Sequence, residues 1–143
     1  DAAITTRAPQ GPYALVTLLI GVNNQYRGRS VEEFREQFRG LLARAIGFAG
    51  GEASRVIVVS IPDWGVTPFN TRRDRAAVAA AIDAFNAVKR EESQAAGVAW
   101  VDITPATRAA PSAVVADGLH PSAEMYAQWV AQVLPVATAL LRR

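Results

Sequence analysis

The single histidine of the chain, His120, stands three residues after Asp117 in the run Asp117-Gly118-Leu119-His120-Pro121-Ser122. At that spacing a carboxylate reaches one imidazole nitrogen and leaves the other free, the wiring of a general base that deprotonates a hydroxyl. The same residues also read as a plain turn, with Asp117 accepting from backbone amides and His120 merely preceding a helix. Asn23 is a second candidate. A side-chain amide at the carboxyl end of a strand can donate to a developing oxyanion, and one such donor is worth ~3 kcal/mol in a transition state. Asn23 and Asn24 equally suit a turn, because asparagine tolerates left-handed backbone.

The elements that must position these residues alternate between strand and helix. Tyr13 to Ile20 is a nearly continuous apolar run between Pro9-Gln10-Gly11-Pro12 and Gly21-Val22-Asn23-Asn24, and reads as a strand buried on both faces. Ser30 with Glu33 three residues later forms a capping box, and Phe34, Phe38, Leu41, Leu42, Ala45 and Ile46 follow at helical spacing until Gly50-Gly51. Arg55 to Ile61 is a second buried strand, rich in β-branched residues. The stretch Asp63–Phe69 is too broken by Pro and Gly for either element and reads as a structured loop. The next helix is expected from Thr71 as N-cap, with Asp74 at its third position, Val78, Ile82, Phe85 and Val88 on one face and Gly97 as its stop. Val98 to Ile103 is the third strand. Pro121 suits the first position of a last helix whose inner face is Met125, Trp129, Val130 and Val133, with a break or kink at Pro135.

This alternation predicts right-handed βαβ units: an α/β fold with a parallel sheet and helices on both faces, in one domain over residues 1–143. In such sheets ligands bind beyond the carboxyl ends of the strands. Asn23, the Asp63–Phe69 loop and the loop ending at His120 all follow strands, so they share one rim.

Composition excludes several classes. With no cysteine and one histidine there is no disulfide, no thiolate nucleophile and no histidine-rich metal site, and the acidic residues show no ligand-like clustering. No metal and no cofactor is expected. Gly-Val-Asn-Asn after the first strand lacks the Gly-x-Gly spacing of a phosphate-binding loop. The net charge is only +2 and the arginines interleave with acids, so a nucleic-acid surface is not expected. No apolar run reaches the roughly 18 residues of a membrane span, and the first residues have neither the basic start nor the apolar middle of a signal peptide. The compartment and the oligomeric state are left open.

Taken together, Gly21-Val22-Asn23 after a strand and Asp117-Gly118-Leu119-His120-Pro121 before the last helix resemble the SGNH (GDSL) hydrolases. The wider stretches from Leu18 to Gly28 and from Ser60 to Phe69 are similar to bacterial members of that family. The resemblance runs from about Tyr13 to the C-terminus. It implies a Ser–His–Asp esterase acting on small acyl esters, on a flavodoxin-like three-layer α/β/α fold. Asn23 would then be the side-chain oxyanion donor, His120 the general base and then acid, and Asp117 its orienter. Asn24, Tyr26, Trp64 and Leu119 would border the substrate pocket. A packed loop at Trp64 and a contact at the start of a helix for Tyr26 are equally good readings of those two residues.

The family pattern also requires a Gly-Asp-Ser block on the first strand and a glycine from a second block, and neither is present. Of the serines, Ser30 reads as a helix cap, Ser54 as a turn residue, Ser60 as inside a strand, Ser93 as helical and Ser112 as in a loop. Ser122 faces a helix start. In a sheet of order 2-1-3-4-5 the three strands here would be the third, fourth and fifth, with the first two absent. The expectation is therefore the C-terminal portion of an SGNH hydrolase. Its nucleophile would lie outside these 143 residues, and its missing N-terminal segment would be its partner. The chain alone would be nearly inactive. A second reading is a non-catalytic interaction module on the same scaffold, binding a partner by strand addition along Tyr13–Ile20.

Overall fold

The computed structural model describes residues 2–142. Three short parallel strands, β1 (Val16–Leu18), β2 (Val56–Val59) and β3 (Ala99–Val101), form one sheet of order β1-β2-β3. The register pairs Val16 with Val56 and Ile57 with Ala99. Six helices accompany them: α1 (Ala2–Arg7), α2 (Val22–Tyr26), α3 (Val31–Phe48), α4 (Arg75–Ala95), α5 (Thr104–Ala109) and α6 (Ala123–Leu141).

The central strand shows why the layers form. All four residues of β2 are buried, and alternate side chains point to opposite faces. Val56 and Val58 meet Phe34, Phe38 and Leu42 of α3 and Val78, Ile82 and Phe85 of α4. Ile57 and Val59 meet Val101, Ile103 and the Met125, Trp129 and Ala137 side chains of α6. Helices thus cover both faces of a parallel sheet, the three-layer α/β/α arrangement expected from the strand–helix alternation.

The expected strands are trimmed at their ends for local reasons. The Tyr13 amide donates to the Phe48 carbonyl at the end of α3 (2.8 Å), and the Ile20 carbonyl accepts from the Lys89 ammonium (2.9 Å), so both ends of the first apolar run leave the ladder. Leu19 and Ile20 are exposed rather than buried on both faces. Ser60 lies just past β2 instead of inside it; its buried Oγ accepts from the amides of Ile103 (2.8 Å) and Thr104 (3.2 Å).

Helix starts follow their caps. Ser30 accepts from the Glu33 amide at 3.1 Å, as the capping box requires. α4 begins three residues later than expected, with Asp74 rather than Thr71 as N-cap, its Oδ1 accepting from the Ala77 amide (2.7 Å). The Asn70 side chain explains the delay: it accepts from the Arg73 amide and donates to the Arg73 carbonyl, consuming residues 71–73 in a turn. Ser122 caps α6 through the Met125 amide (3.3 Å), so Pro121 stands one residue before the cap and not at the first helical position. α6 then runs through Pro135 without the expected break. Pro135 is exposed, so the Ala131 carbonyl that loses its partner faces water. Val130 does not join the inner face: it aligns four residues from Tyr126 and from Leu134, and all three are exposed.

Two ion-pair clusters tie elements together, the first joining two helices of one layer. Arg35 and Arg39 of α3 both bind the Glu92 carboxylate of α4, Arg39 at 2.7 Å. Arg108 of α5 holds the fully buried Asp63 carboxylate (2.8 Å) and reaches Asp83 of α4 (2.9 Å). Among the described residues no helix is long and apolar enough to cross a membrane, and no three His, Cys, Asp or Glu side chains gather to hold a metal.

Candidate active site

The site assembles at the carboxyl ends of the strands. After β1 the chain turns at Gly21 (φ 117°), where a Cβ would lie 2.8 Å from the Phe34 ring. Only glycine fits both that backbone and that contact. The turn launches α2 with Asn23 in its first turn, rather than on the strand itself. From there the neighbouring asparagines part company. Asn23 lines the main cavity, whereas Asn24 points to α3 and donates to the Gln37 side chain at 2.7 Å, outside the cavity lining.

The loop after β2 is rigid for a different reason. Asp63 is fully buried, its Oδ1 accepting from the Gly65 amide (2.9 Å) and its Oδ2 from Arg108. Trp64 is buried and its indole donates to the Gln25 side chain of α2 (2.7 Å), so this loop and the Asn23 helix move as one. Tyr26 packs edge-on against Trp64, with ring centroids 5.1 Å apart, and both rings line the cavity. The Phe69 amide then reaches across to the Gly118 carbonyl (3.0 Å), tying the loop to the histidine turn.

In that turn Gly118 adopts φ 72°, and the Val115 amide donates to the His120 carbonyl at 2.8 Å. Asp117 divides its oxygens. Oδ1 accepts from the amides of Leu119 (2.8 Å) and His120 (2.9 Å), while Oδ2 lies 2.5 Å from His120 Nδ1. The turn-stabilising role and the histidine-orienting role are therefore filled together. The amide of Leu119, the His120 ring and the His120 amide hold the Asp117 carboxyl down to about 2. His120 Nε2 has no hydrogen-bond partner among the described residues, and His120 lines the same cavity as Asn23, Tyr26, Trp64 and Leu119.

This cavity has a volume of about 380 Å³ and its walls are mostly apolar, with Met125, Tyr126 and Trp129 of α6 closing the side beyond His120. Met125 and Trp129 were expected as core alone. Because α6 follows the histidine turn directly, its first inward residues must face the site, and this was the available signal. Phe69 and Val22 also line it without a sequence pattern that singles them out. No serine lines the cavity. Its two threonines, Thr67 and Thr107, donate to the carbonyls of Trp64 (2.7 Å) and Ile103 (3.5 Å). The buried Trp129 indole N–H has no acceptor among the described residues.

The arrangement can do base catalysis: an imidazole with one nitrogen fixed by a carboxylate and the other open to an apolar chamber, beside a side-chain amide donor.

Comparison with known proteins places the fold. Among solved structures, the fold is similar to TesA (TM-score 0.68, 18% identity) and to LAE5, an alpha/beta hydrolase enzyme from the metagenome of Lake Arreo, Spain (0.71, 21%). It is also similar to a lipase/acylhydrolase from Enterococcus faecalis (0.63, 23%). Each match covers 97% of this chain but only 68%, 66% and 65% of the respective structure, so the chain spans about two thirds of their length. No curated protein matches the sequence. The model of the GDSL-like Lipase/Acylhydrolase family matches residues 2–128, and the chain belongs to that family of hydrolases.

Proposed function

We propose that this chain supplies the base, its orienter and one oxyanion donor of a serine ester hydrolase acting on short acyl esters. The nucleophilic serine comes from a segment outside the 143 residues. The observation that carries the reading is the Asp117–His120 pair, with Nδ1 held at 2.5 Å and Nε2 open to the cavity that Asn23 also lines. In the reaction the serine hydroxyl attacks the acyl carbonyl as His120 Nε2 takes its proton. Asn23 donates to the oxyanion. The imidazolium then protonates the departing alcohol, and a water activated by the same nitrogen releases the acyl group. The serine-bearing segment is the natural occupant of the outer edge of β1, which pairs with no strand among the described residues.

That same edge supports the second reading, a non-catalytic module that binds a partner by strand addition. Hydrolysis of a p-nitrophenyl short-chain ester by the full-length protein separates the two. His120→Ala should lower kcat by roughly 10³-fold or more. An undiminished rate would remove His120 from the mechanism, and a full-length wild-type protein that turns over no acyl ester would leave the binding module as the better account.

A further inference from the structure

Beside the cavity walls lies a cation that is held in place yet pairs with no carboxylate among the described residues. Arg73 precedes α4, and its guanidinium carbon lies 4.4 Å from the centroid of the Tyr26 ring and 5.2 Å from that of Trp64. Its Nη1 donates to the Tyr26 carbonyl (3.0 Å). Its backbone is held as firmly: the Asn70 side chain binds both the Arg73 amide and the Arg73 carbonyl at 3.0 Å, and anchors itself on the Gly65 carbonyl at 2.9 Å. Tyr26 and Trp64 are cavity walls, so the guanidinium lies against residues that line the same cavity as His120 and Asn23.

Arginines elsewhere that bridge elements find carboxylates, as Arg35, Arg39 and Arg108 do. Arg73 has none within ion-pair distance among the described residues, and neither do Arg27, Arg72 and Arg75, which flank it or Tyr26 in sequence and are exposed. The nearest acid in sequence, Asp74, is committed to capping α4. A guanidinium stacked on aromatic faces keeps its in-plane donors free, and their fork matches a phosphate. The chamber behind it is apolar and suits an acyl chain, so the charge belongs with the other half of the ester.

We propose that Arg73, flanked by Arg72 and Arg27, reads a phosphate group on the leaving-group side of the substrate, which is thus an acyl ester of a phosphorylated alcohol. The inference rests on the reading of His120 as the base of an ester hydrolase. A free phosphorylated alcohol and a phospholipid headgroup share this chemistry.

The test uses the full-length enzyme and a matched pair of probes, 1-hexanoylglycerol 3-phosphate and 1-hexanoylglycerol. It is repeated with the 1-palmitoyl pair in neutral phosphatidylcholine vesicles. At low salt kcat/KM should favour the phosphorylated ester by roughly tenfold, and the ratio should fall towards one at about 0.5 M NaCl as the charges are screened. Arg73→Met should abolish the ratio and Arg73→Lys should keep part of it. A preference with the soluble pair supports recognition of a free phosphorylated alcohol, and a preference confined to vesicles supports a lipid headgroup. Equal turnover of both esters in both arms, unmoved by salt and by Arg73→Met, overturns the inference while leaving the hydrolase reading intact. No turnover of any probe would instead count against the hydrolase reading itself.

Discussion

Asp117 serves three hydrogen atoms with two oxygens, and the order of their influence matters. The Leu119 amide does most to hold the carboxyl at about 2, ahead of the His120 ring and the His120 amide. The carboxylate is therefore set by its own turn before the imidazole arrives, and it stays charged until the pH falls from about 4 towards 2, where the lowered folded value no longer protects it. While it stays charged it can accept from Nδ1 of the imidazole. This much was legible from Asp-x-x-His spacing. What spacing could not decide was which asparagine works. Asn23 and Asn24 are identical in type and adjacent, and only Gln37, thirteen residues on and across a helix interface, claims the second. In the full-length enzyme Asn23→Ala should lower kcat by about 10²–10³-fold with little change in KM, the signature of a donor used in the transition state. Asn24→Ala should leave kcat within about twofold, since it removes one exposed polar contact outside the cavity lining. Steady-state kinetics of the two variants side by side decides the assignment, and equal losses would sink it.

At the scale of elements, α4 does more than cover the sheet. Lys89, the only lysine of the chain, is fully buried on it, and its ammonium donates to the carbonyls of Ile20 (2.9 Å) and Val59 (2.6 Å) at the carboxyl ends of two neighbouring strands. The Phe38 and Trp100 rings flank it at 5.9 Å, and no carboxylate among the described residues pairs with it. Glu92, one turn further along α4, is committed to Arg35 and Arg39. This clamp explains why β1 stops short of the apolar run that predicts it, and it holds the residue just before the Gly21 turn that launches Asn23. Nothing in the sequence marks it, because a lone lysine in a helix normally belongs to a solvated face. The buried helix faces, the capping box at Ser30 and the parallel order were legible, since periodicity and capping are local. Strand ends and the start of α4 were not, since Lys89 and Asn70 set them by reaching elsewhere. Burial pushes the Lys89 ammonium down to about 7. Between that value and its ordinary one near 10.5 the unfolded chain binds the proton more tightly, so this group makes stability rise with pH. Urea unfolding at about pH 7 and about pH 9.5 should show the gain, and Lys89→Met should abolish it. An identical pH slope in the variant would mean that the ammonium is not desolvated in solution.

The whole molecule is a sheet clad on both faces whose two outer edges, those of β1 and β3, pair with no strand among the described residues. The outer edge of β1 pairs with nothing among the described residues, and Leu19 and Ile20 beside it are exposed. On α6 the side chains of Tyr126, Val130 and Leu134, four residues apart and 51–58% exposed, form an apolar stripe. Tyr126 joins this stripe to the cavity, packing at 5.1 Å against Trp129, whose indole N–H lacks an acceptor. An open edge, an apolar stripe and an orphaned donor are three independent deficits, and their kinds match: unpaired strand groups need a strand, an apolar helix face needs a second apolar surface, and a buried N–H needs a carbonyl. A strand and helix supplied from outside the 143 residues would satisfy all three. Without such a segment the surfaces satisfy one another between copies. The 143-residue chain, prepared by itself, should therefore run by light scattering well above its 15.3 kDa. Lysines on the stripe (Val130→Lys with Leu134→Lys) should lower the mass towards the monomer, because burying two ammonium groups in a contact costs far more than leaving them in water. If only the edge drives association, that double variant will keep its mass while a charge placed on β1, Thr17→Lys, will reduce it. A wild-type chain that stays at 15.3 kDa across a wide concentration range would show that these surfaces are tolerated in water. That result would remove the structural motive for a completing segment, and with it the argument that the nucleophile arrives along this edge.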